Sequence, residues 1–183
     1  MIERPGTSTV ETREEKLTWL WALVPDAQRA FLKWPGMRVA VCLAQAALES
    51  GWGKKPIGKG NLWGIKALKW VPSRILVDTH EWVDGKLVKS KQEFADFPSI
   101  YDGMLCYGRL VTNSPSYRLA REACDLEEYT SQLCKVWATD PFYRKKVWTL
   151  IQYAGLEGIQ DRVYGKEWYR THNIDFEKDG MVR

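Results

Sequence analysis

The chain has 183 residues, a formal net charge of +4 at pH 7 and a hydrophobic fraction of 45%. This length and composition are those of one folded domain that buries a real core. The lysines and arginines form no run of five or six like charges and no stretch of 18 apolar residues occurs, which argues against a nucleic-acid partner and against membrane insertion.

The N-terminal segment, residues 1–12, is polar and mixed in charge, and we expect it to be flexible. It has no basic start followed by an apolar run, so it does not read as a secretory signal peptide. The sequence therefore predicts a protein that is made in the cytoplasm and needs another route to any target outside it. We also expect a monomer.

Helical patterns follow in chain order. The first runs from about Glu14 to Leu23, and the second covers residues 26–33 with Asp26 as its predicted cap. The stretch from Met37 to Ser50 is apolar nearly all round, which predicts a helix buried in the centre of the domain. A glycine-rich loop must follow it, because Gly51, Gly53, Gly58 and Gly60 occur within ten residues.

Residues 74–97 show the β pattern of the chain. Two alternating arms flank Asp84-Gly85, which is a strong signal for a tight hairpin turn. Helices then resume at positions marked by capping residues and end before a polar extension, residues 157–183, of unknown role. The predicted starts and ends are Ser99 to Asn113, Asp125 to Trp137, and Asp140-Pro141 to Gly155.

The cysteines do not suggest a metal centre. Cys42, Cys106, Cys124 and Cys134 form no C-x-x-C pair, and the chain has only two histidines, so a zinc cage is not expected. Buried free thiols are the simplest interpretation, although the sequence leaves a disulfide open.

Glu49 is the residue that points to chemistry. It lies at the end of the apolar helix, where the negative end of the helix dipole and apolar neighbours such as Leu48 and Trp52 would disfavour its ionised form. A carboxyl with a raised pKa suits a general acid at near-neutral pH. The alternative is a surface glutamate on the last helical turn.

The residues around Glu49 resemble a known family. The stretch AQAALESGWGKKPIGKGNLWGIKA, residues 44–67, is similar to the signature of the bacterial glucosaminidases, glycoside hydrolase family 73. The likeness continues in THEWVDGKLVKSKQEFADFPSIYDGM and in WATDPFYRKKV, in the same order, and covers roughly residues 37–156.

This resemblance implies a mainly α, lysozyme-like helical domain, residues 13–156, with one β-hairpin lobe flanking a substrate groove. It implies a peptidoglycan hydrolase that cleaves the β-1,4 bond on the reducing side of N-acetylglucosamine, without metal or organic cofactor. Its partner would be the glycan strands of the bacterial cell wall. Glu49 stands where the family's proton donor stands.

Glu81 is the candidate second carboxylate, because it lies on the first arm of the hairpin where similar proteins often carry an acidic residue. It would activate water; Asp78 and Asp84 are weaker candidates. Two alternatives stay open: Glu81 is a solvated strand residue, or the substrate's own N-acetyl group attacks instead of water.

Further site residues follow from the same likeness. Tyr143 resembles a tyrosine of the catalytic subsite, with packing of the last helix as the alternative. Asn61 and Gly64 match residues that shape the groove floor, and Trp63 stands in place of the usual Phe. Trp137 stands where relatives usually have Tyr, which removes a hydroxyl and puts a polar role there in doubt.

Tryptophans are candidates for sugar platforms, because sugar rings stack on flat apolar surfaces. Trp52, Trp63, Trp70 and Trp82 lie near the signature, and at least one of them is expected to belong to the core. Other functions remain open: a non-catalytic cell-wall-binding or assembly module, or, from the charge alone, a nucleic-acid-binding helical protein. The compact chain favours a phage endolysin or virion lysin as the biological setting.

Overall fold

The structure is a computed structural model that describes residues 12–83 and 86–159. Most of these residues are helical, and one antiparallel pair of strands projects between the third and fourth helices. The elements are α1 (Arg13–Ala22), α2 (Val24–Lys33), α3 (Val39–Ser50), β1 (Arg74–Val83), β2 (Lys86–Ala95), α4 (Ile100–Asn113), α5 (Arg118–Arg121), α6 (Leu126–Trp137) and α7 (Tyr143–Tyr153). The predicted mainly α architecture with one hairpin is confirmed.

Helix α3 is the centre of the core, as its apolar sequence predicts. Ten of its twelve residues are buried, and α2 and α7 pack against it. It ends at Gly51 because that residue adopts a left-handed φ of 58°, which costs glycine little. The hydroxyl of Ser50 donates to the Ala46 carbonyl and accepts from the Gly53 N–H, so the last turn is hydrogen-bonded on both sides.

Several helix starts and ends match the capping residues. The Ser99 and Asp125 side chains accept from the backbone N–H groups of Asp102 and Glu128. Helix α7 ends in a Schellman motif at Gly155, in which the Leu156 N–H donates to the Ile151 carbonyl. These sequence predictions are confirmed.

Other predicted boundaries are wrong. Asp26 does not cap α2; it lies in the first turn, and Leu23 precedes the helix without a side-chain cap. Asp140 and Pro141 do not begin α7, because Asp140 accepts from the Phe142 N–H in a turn just before it. At Asp140 a local turn hydrogen bond takes the place of the predicted cap, whereas the Asp26 carboxylate accepts from the Arg29 side chain one turn later.

Two further differences from the sequence predictions concern Thr12 and the segment after α4. Thr12 does not belong to a loose N-terminal segment: it forms a reciprocal capping box with Glu15. A short 3-10 turn (Pro115–Tyr117) and α5 were not expected from the sequence. The rest of the predicted flexible segment, residues 1–11, the Asp84-Gly85 turn and residues 160–183 of the extension lie outside the described residues.

The ribbon of β1 and β2 is joined to the helical body at its base. The Ala95 N–H donates to the Ile65 carbonyl at 2.9 Å, and the Ala67 N–H donates to the Glu93 carbonyl at 2.9 Å. A residue pair at the same level, Lys66 and Phe94, forms an isolated bridge. The loop after α3 therefore acts as a short third strand beside the start of the ribbon.

Cys42, Cys106 and Cys134 are buried free thiols and Cys124 is an exposed one. No helix in residues 12–83 and 86–159 has the length and apolar character needed to span a membrane.

Candidate active site

Glu49 opens into a cavity between the end of α3, the following loop and the base of the ribbon. This cavity, called the Glu49 cavity below, has a volume of about 370 Å³. Its lining residues are Glu49, Lys55, Ile57, Asn61, Leu62, Trp63, Gly64, Phe94, Trp137 and Ala138. The predicted groove floor and the predicted acid therefore share one cavity.

The environment of Glu49 favours its protonated form. The side chain reaches solvent through the cavity, but the surrounding walls desolvate its carboxyl, and this burial raises its pKa above the ordinary value. Hydrogen bonding from Tyr143 and from the Trp137 indole acts the other way and does not cancel the effect. The direction is the one that a general acid needs.

The residues that desolvate Glu49 differ in part from those that the sequence suggested. Leu48 and Trp52 were expected to desolvate Glu49, but both line a separate cavity of about 500 Å³ with Phe142 and α7 residues, called the Trp52 cavity below. Trp52 packs edge-on against Trp19, with ring centroids 6.4 Å apart. Its predicted sugar contact would have to occur in that second cavity.

Tyr143 lies directly against the acid. It is the first residue of α7, it is buried, and its hydroxyl donates a hydrogen bond to Oε1 of Glu49. Burial, followed by the nearby Glu49 carboxylate, raises the pKa of the Tyr143 phenol far above its usual range. Tyr143 therefore stays protonated and acts as a hydrogen-bond donor rather than as a base.

The walls of the Glu49 cavity divide into polar and structural groups. Trp137 is half-buried and supplies an indole N–H toward Glu49, so replacing a family tyrosine by Trp does not remove the polar group at this position. Gly64 has a φ of 63° and no atom within 4 Å of a hypothetical Cβ, so it borders open space. Both residues are available to a ligand in the cavity.

Asn61 and Trp63 have structural roles in the same walls. The Asn61 amide donates to the Ile65 and Ala95 carbonyls at 2.9 Å each and accepts from the Ile65 N–H at 3.0 Å, which fastens the loop to β2. Trp63 is 1% exposed and donates to the Cys42 carbonyl. The prediction of Trp63 as a sugar platform is not supported, because a core residue offers almost no surface.

The strand register gives the position of Glu81. Its backbone pairs with Val88, and an even number of residues separates position 81 from Thr79 and from Ile75 along β1. Ile75 pairs with Phe94, which lines the Glu49 cavity. Asp78 lies on the strand face opposite to that of Ile75. Position 81 lies farther along β1 from the base than Ile75, and the side chain of Glu81 lies outside the described residues.

Two tryptophan candidates remain, Trp70 and Trp82. Trp70 is half-exposed in a third cavity, where Arg109 stacks 4.2 Å from its ring centre. The side chain of Trp82 lies outside the described residues. Trp70 therefore does not join the Glu49 cavity.

Sequence reasoning missed residues behind the acid. Gln45 and Tyr107 are fully buried, and Gln45 contacts Tyr143. The available signal was an amide in an otherwise apolar helix, one turn before Glu49. No cluster of three or more possible metal ligands occurs among the residues that the structure describes.

Comparisons with known proteins give the relatives of this chain. A sequence profile described as mannosyl-glycoprotein endo-beta-N-acetylglucosaminidase, of the glucosaminidase family, matches residues 25–156. The peptidoglycan hydrolase FlgJ of Escherichia coli strain K12 is 34% identical over 129 residues, which cover 66% of this chain and 41% of FlgJ. FlgJ of Vibrio parahaemolyticus is 32% identical over 134 residues, covering 69% and 43%. The chain thus spans about two fifths of these curated relatives.

Solved structures show the same fold. The catalytic domain of the autolysin Auto from Listeria monocytogenes has a TM-score of 0.68 and 28% identity, over 84% of this chain and 90% of that one. The truncated glycoside hydrolase domain of Salmonella typhimurium FlgJ has a TM-score of 0.61 and 30% identity, over 77% and 98%. The predicted lysozyme-like fold is confirmed. Because the family profile matches most of its length, the chain belongs to the glucosaminidase family.

Proposed function

We propose that this chain is a peptidoglycan hydrolase that cleaves the β-1,4 glycosidic bond on the reducing side of N-acetylglucosamine, with Glu49 as the general acid. One observation carries the proposal. Glu49 is a carboxyl with a raised pKa that opens into a cavity and is held by the Tyr143 hydroxyl. Glu49 is an exposed residue by surface area, but it differs from a solvated glutamate on a helix end because its carboxyl is partly desolvated and has the Tyr143 hydroxyl as a partner.

The acid step follows from this arrangement. Protonated Glu49 gives its proton to the glycosidic oxygen as the bond to the anomeric carbon breaks, so the departing sugar leaves as an alcohol. Glu49 is then an anion, which the Tyr143 hydroxyl and the Trp137 indole stabilise by hydrogen bonding. The reaction needs no redox partner, because water supplies the atoms of the products.

The second half of the reaction has two candidates. In the first, the Glu81 carboxylate removes a proton from a water that attacks the anomeric carbon from the opposite side, and the configuration inverts. The register supports this route, because an even number of residues separates position 81 from Ile75, which pairs with Phe94 of the Glu49 cavity, and side chains alternate along a strand. In the second, the oxygen of the substrate's N-acetyl group attacks, and water later opens the resulting ring.

Glu49→Gln tests the proposed acid, because it keeps the shape and removes the transferable proton. We expect the rate of turbidity loss of purified cell walls to fall by about two to four orders of magnitude. Circular dichroism should show an unchanged fold. Glu122→Gln is the matched control, since Glu122 pairs with Arg118 on the surface. Lysis by Glu49→Gln at a near wild-type rate would remove Glu49 from the acid role.

Product analysis tests the bond that is cut. After borohydride reduction, released fragments should carry reduced N-acetylglucosamine at their new ends by mass spectrometry. Reduced muramic acid as the main product would make the chain a muramidase. A wild-type protein that binds walls but releases no fragments would support the alternative of a non-catalytic binding module.

The site of action follows from the proposed substrate, which lies in the bacterial cell wall. The phage endolysin or virion lysin setting stays a prediction of the sequence. Lysis of living cells by protein added from outside would support a bacteriolytic role, and release only from isolated walls would contradict it.

A further inference from the structure

A chain of hydrogen bonds extends from Glu49 into the core. The Tyr107 hydroxyl donates to Oε1 of Gln45 at 2.7 Å, Nε2 of Gln45 donates to the Tyr143 oxygen at 3.0 Å, and Tyr143 donates to Oε1 of Glu49. Gln45 and Tyr107 are completely buried, and Tyr143 is 6% exposed. Gln45 lies one helical turn before Glu49 on α3.

When Glu49 is ionised, its carboxylate determines which group donates in each of these hydrogen bonds. A carboxylate only accepts, so Tyr143 must donate its single proton to Glu49. The Tyr143 oxygen can then only accept from the Gln45 amide, so Gln45 turns its NH2 group toward Tyr143. Its carbonyl oxygen therefore faces Tyr107, which must donate. The reverse orientation of the amide would take the Tyr143 proton away from Glu49.

We infer that Gln45 is a positioning residue that holds the Tyr143 hydroxyl as a fixed donor to Oε1 of Glu49, so that the other carboxyl oxygen carries the proton delivered to the substrate. This inference rests on the proposed function. A protonated carboxyl that accepts a hydrogen bond at Oε1 keeps its proton on Oε2. Bonds aligned in one direction also polarise one another, which strengthens the last one.

The inference separates catalysis from binding. Gln45 and Tyr107 do not line the Glu49 cavity, so replacing them removes no contact with the sugar. Without the amide, the Tyr143 hydroxyl can turn and accept a hydrogen bond from the protonated Glu49 carboxyl. This would compete with transfer to the substrate, so kcat should fall while KM stays the same. The ionised form of Glu49 would also lose a fixed donor, so its pKa should rise further.

Gln45→Met tests this point, because Met keeps the length of the side chain and makes neither hydrogen bond. On soluble peptidoglycan fragments we expect kcat to fall about tenfold, KM to stay unchanged, and the basic limb of the pH profile to move to higher pH. Thr130→Val is the control, since Thr130 is another fully buried polar residue whose hydroxyl bonds only within α6. It should leave the profile in place.

Gln45→Glu is the conservative rescue. While protonated, its carboxyl can donate to Tyr143 and accept from Tyr107, so kcat should recover toward wild type at acidic pH and decline as the new group ionises. A folded Gln45→Met protein with the wild-type pH profile, or with its whole loss in KM, would overturn the inference.

A second variant covers the case in which Gln45→Met does not fold. Tyr107→Phe removes only the outer hydroxyl and releases the amide to turn, so the same shift of the basic limb should appear at smaller size. Tyr129→Phe is its match, because the Tyr129 hydroxyl is also buried and donates only to the Gly36 carbonyl. Equal profiles for the two variants would overturn the inference. Loss of activity in Glu49→Gln with unchanged Gln45 profiles would refute this inference alone and leave the proposed function intact.

Discussion

The two carboxylates of the proposed reaction lie in regions that are held in different ways. Glu49 lies in the last turn of the buried helix α3, and the hydroxyl of Tyr143, a buried residue of α7, holds its carboxyl by a hydrogen bond. Glu81 lies in a two-stranded ribbon whose strands of ten residues bond to the rest of the described chain near Phe94 and Ala95, at the base. An isolated two-stranded ribbon is marginally stable on its own. The acid is thus preset, whereas the position of the second carboxylate depends on one joint.

The largest effect is expected where the ribbon contributes chemistry. If Glu81 is the base, Glu81→Gln should lower kcat by about a hundredfold or more, because no group then accepts the proton of water. In Glu81→Ala, azide should restore turnover and give an α-azide product. Asp78→Asn is the matched control, because Asp78 lies on the opposite strand face.

The outcome separates the two routes. Activity of Glu81→Gln within about threefold of wild type, a difference in activation free energy of roughly 0.7 kcal/mol or less, would remove Glu81 from the catalytic residues. The N-acetyl route would then leave the helical body with all of the chemistry.

The contact between the base of the ribbon and the helical body can be weakened at Asn61. Asn61→Leu deletes three side-chain hydrogen bonds to Ile65 and Ala95, and the Ile65 N–H loses its side-chain acceptor while the Ile65 carbonyl keeps its bond from the Ala95 N–H. We expect the free energy of unfolding to fall by about 2–4 kcal/mol, measured by urea denaturation. Trypsin should also cut faster at Lys89 and Lys91 in the ribbon. Unchanged stability and cleavage would mean that Asn61 does not couple the two regions.

The sequence predicted the elements that obey local rules. Apolar periodicity located α3, Asp-Gly located the ribbon, and Ser99 and Asp125 located helix starts, because each signal acts within a few residues. Family resemblance pointed to Glu49 and Tyr143, which the structure brings into contact.

Tertiary packing decided the rest. The sequence could not assign Trp52 and Trp63 to different environments, since neighbours on a loop can face different cavities. The sequence also could not predict the hydrogen bonds that link Tyr107, Gln45 and Tyr143, because these residues come from α4, α3 and α7. The Asp140-Pro141 start failed because a turn used the same side chain for another N–H.

Trp137 gives a smaller effect within the body. Trp137→Phe keeps most of the ring contact with Tyr107, whose centroid lies 5.3 Å away, and removes the N–H that acts on Glu49. We expect kcat to fall about two- to fivefold and the basic limb of its pH profile to move to higher pH. Trp137→Tyr, which restores a polar hydrogen at this position, should lose less. Equal losses for Phe and Tyr would show that ring shape alone matters.

The smallest effect is a change of stability with pH. The folded chain raises the pKa of Glu49 above the value of about 4.3 for an unfolded glutamate. Between the two values the folded state keeps a proton that the unfolded state has released, so stability falls as pH rises through this window. Glu49→Gln does not titrate. Its melting temperature should therefore match the wild type below the unfolded pKa and exceed it increasingly toward neutral pH. Glu122→Gln, at a surface ion pair worth little, should show no such gain. A constant difference between Glu49→Gln and wild type from acid to neutral pH would mean that packing does not desolvate the acid, and the contrast between body and ribbon would then rest on geometry alone.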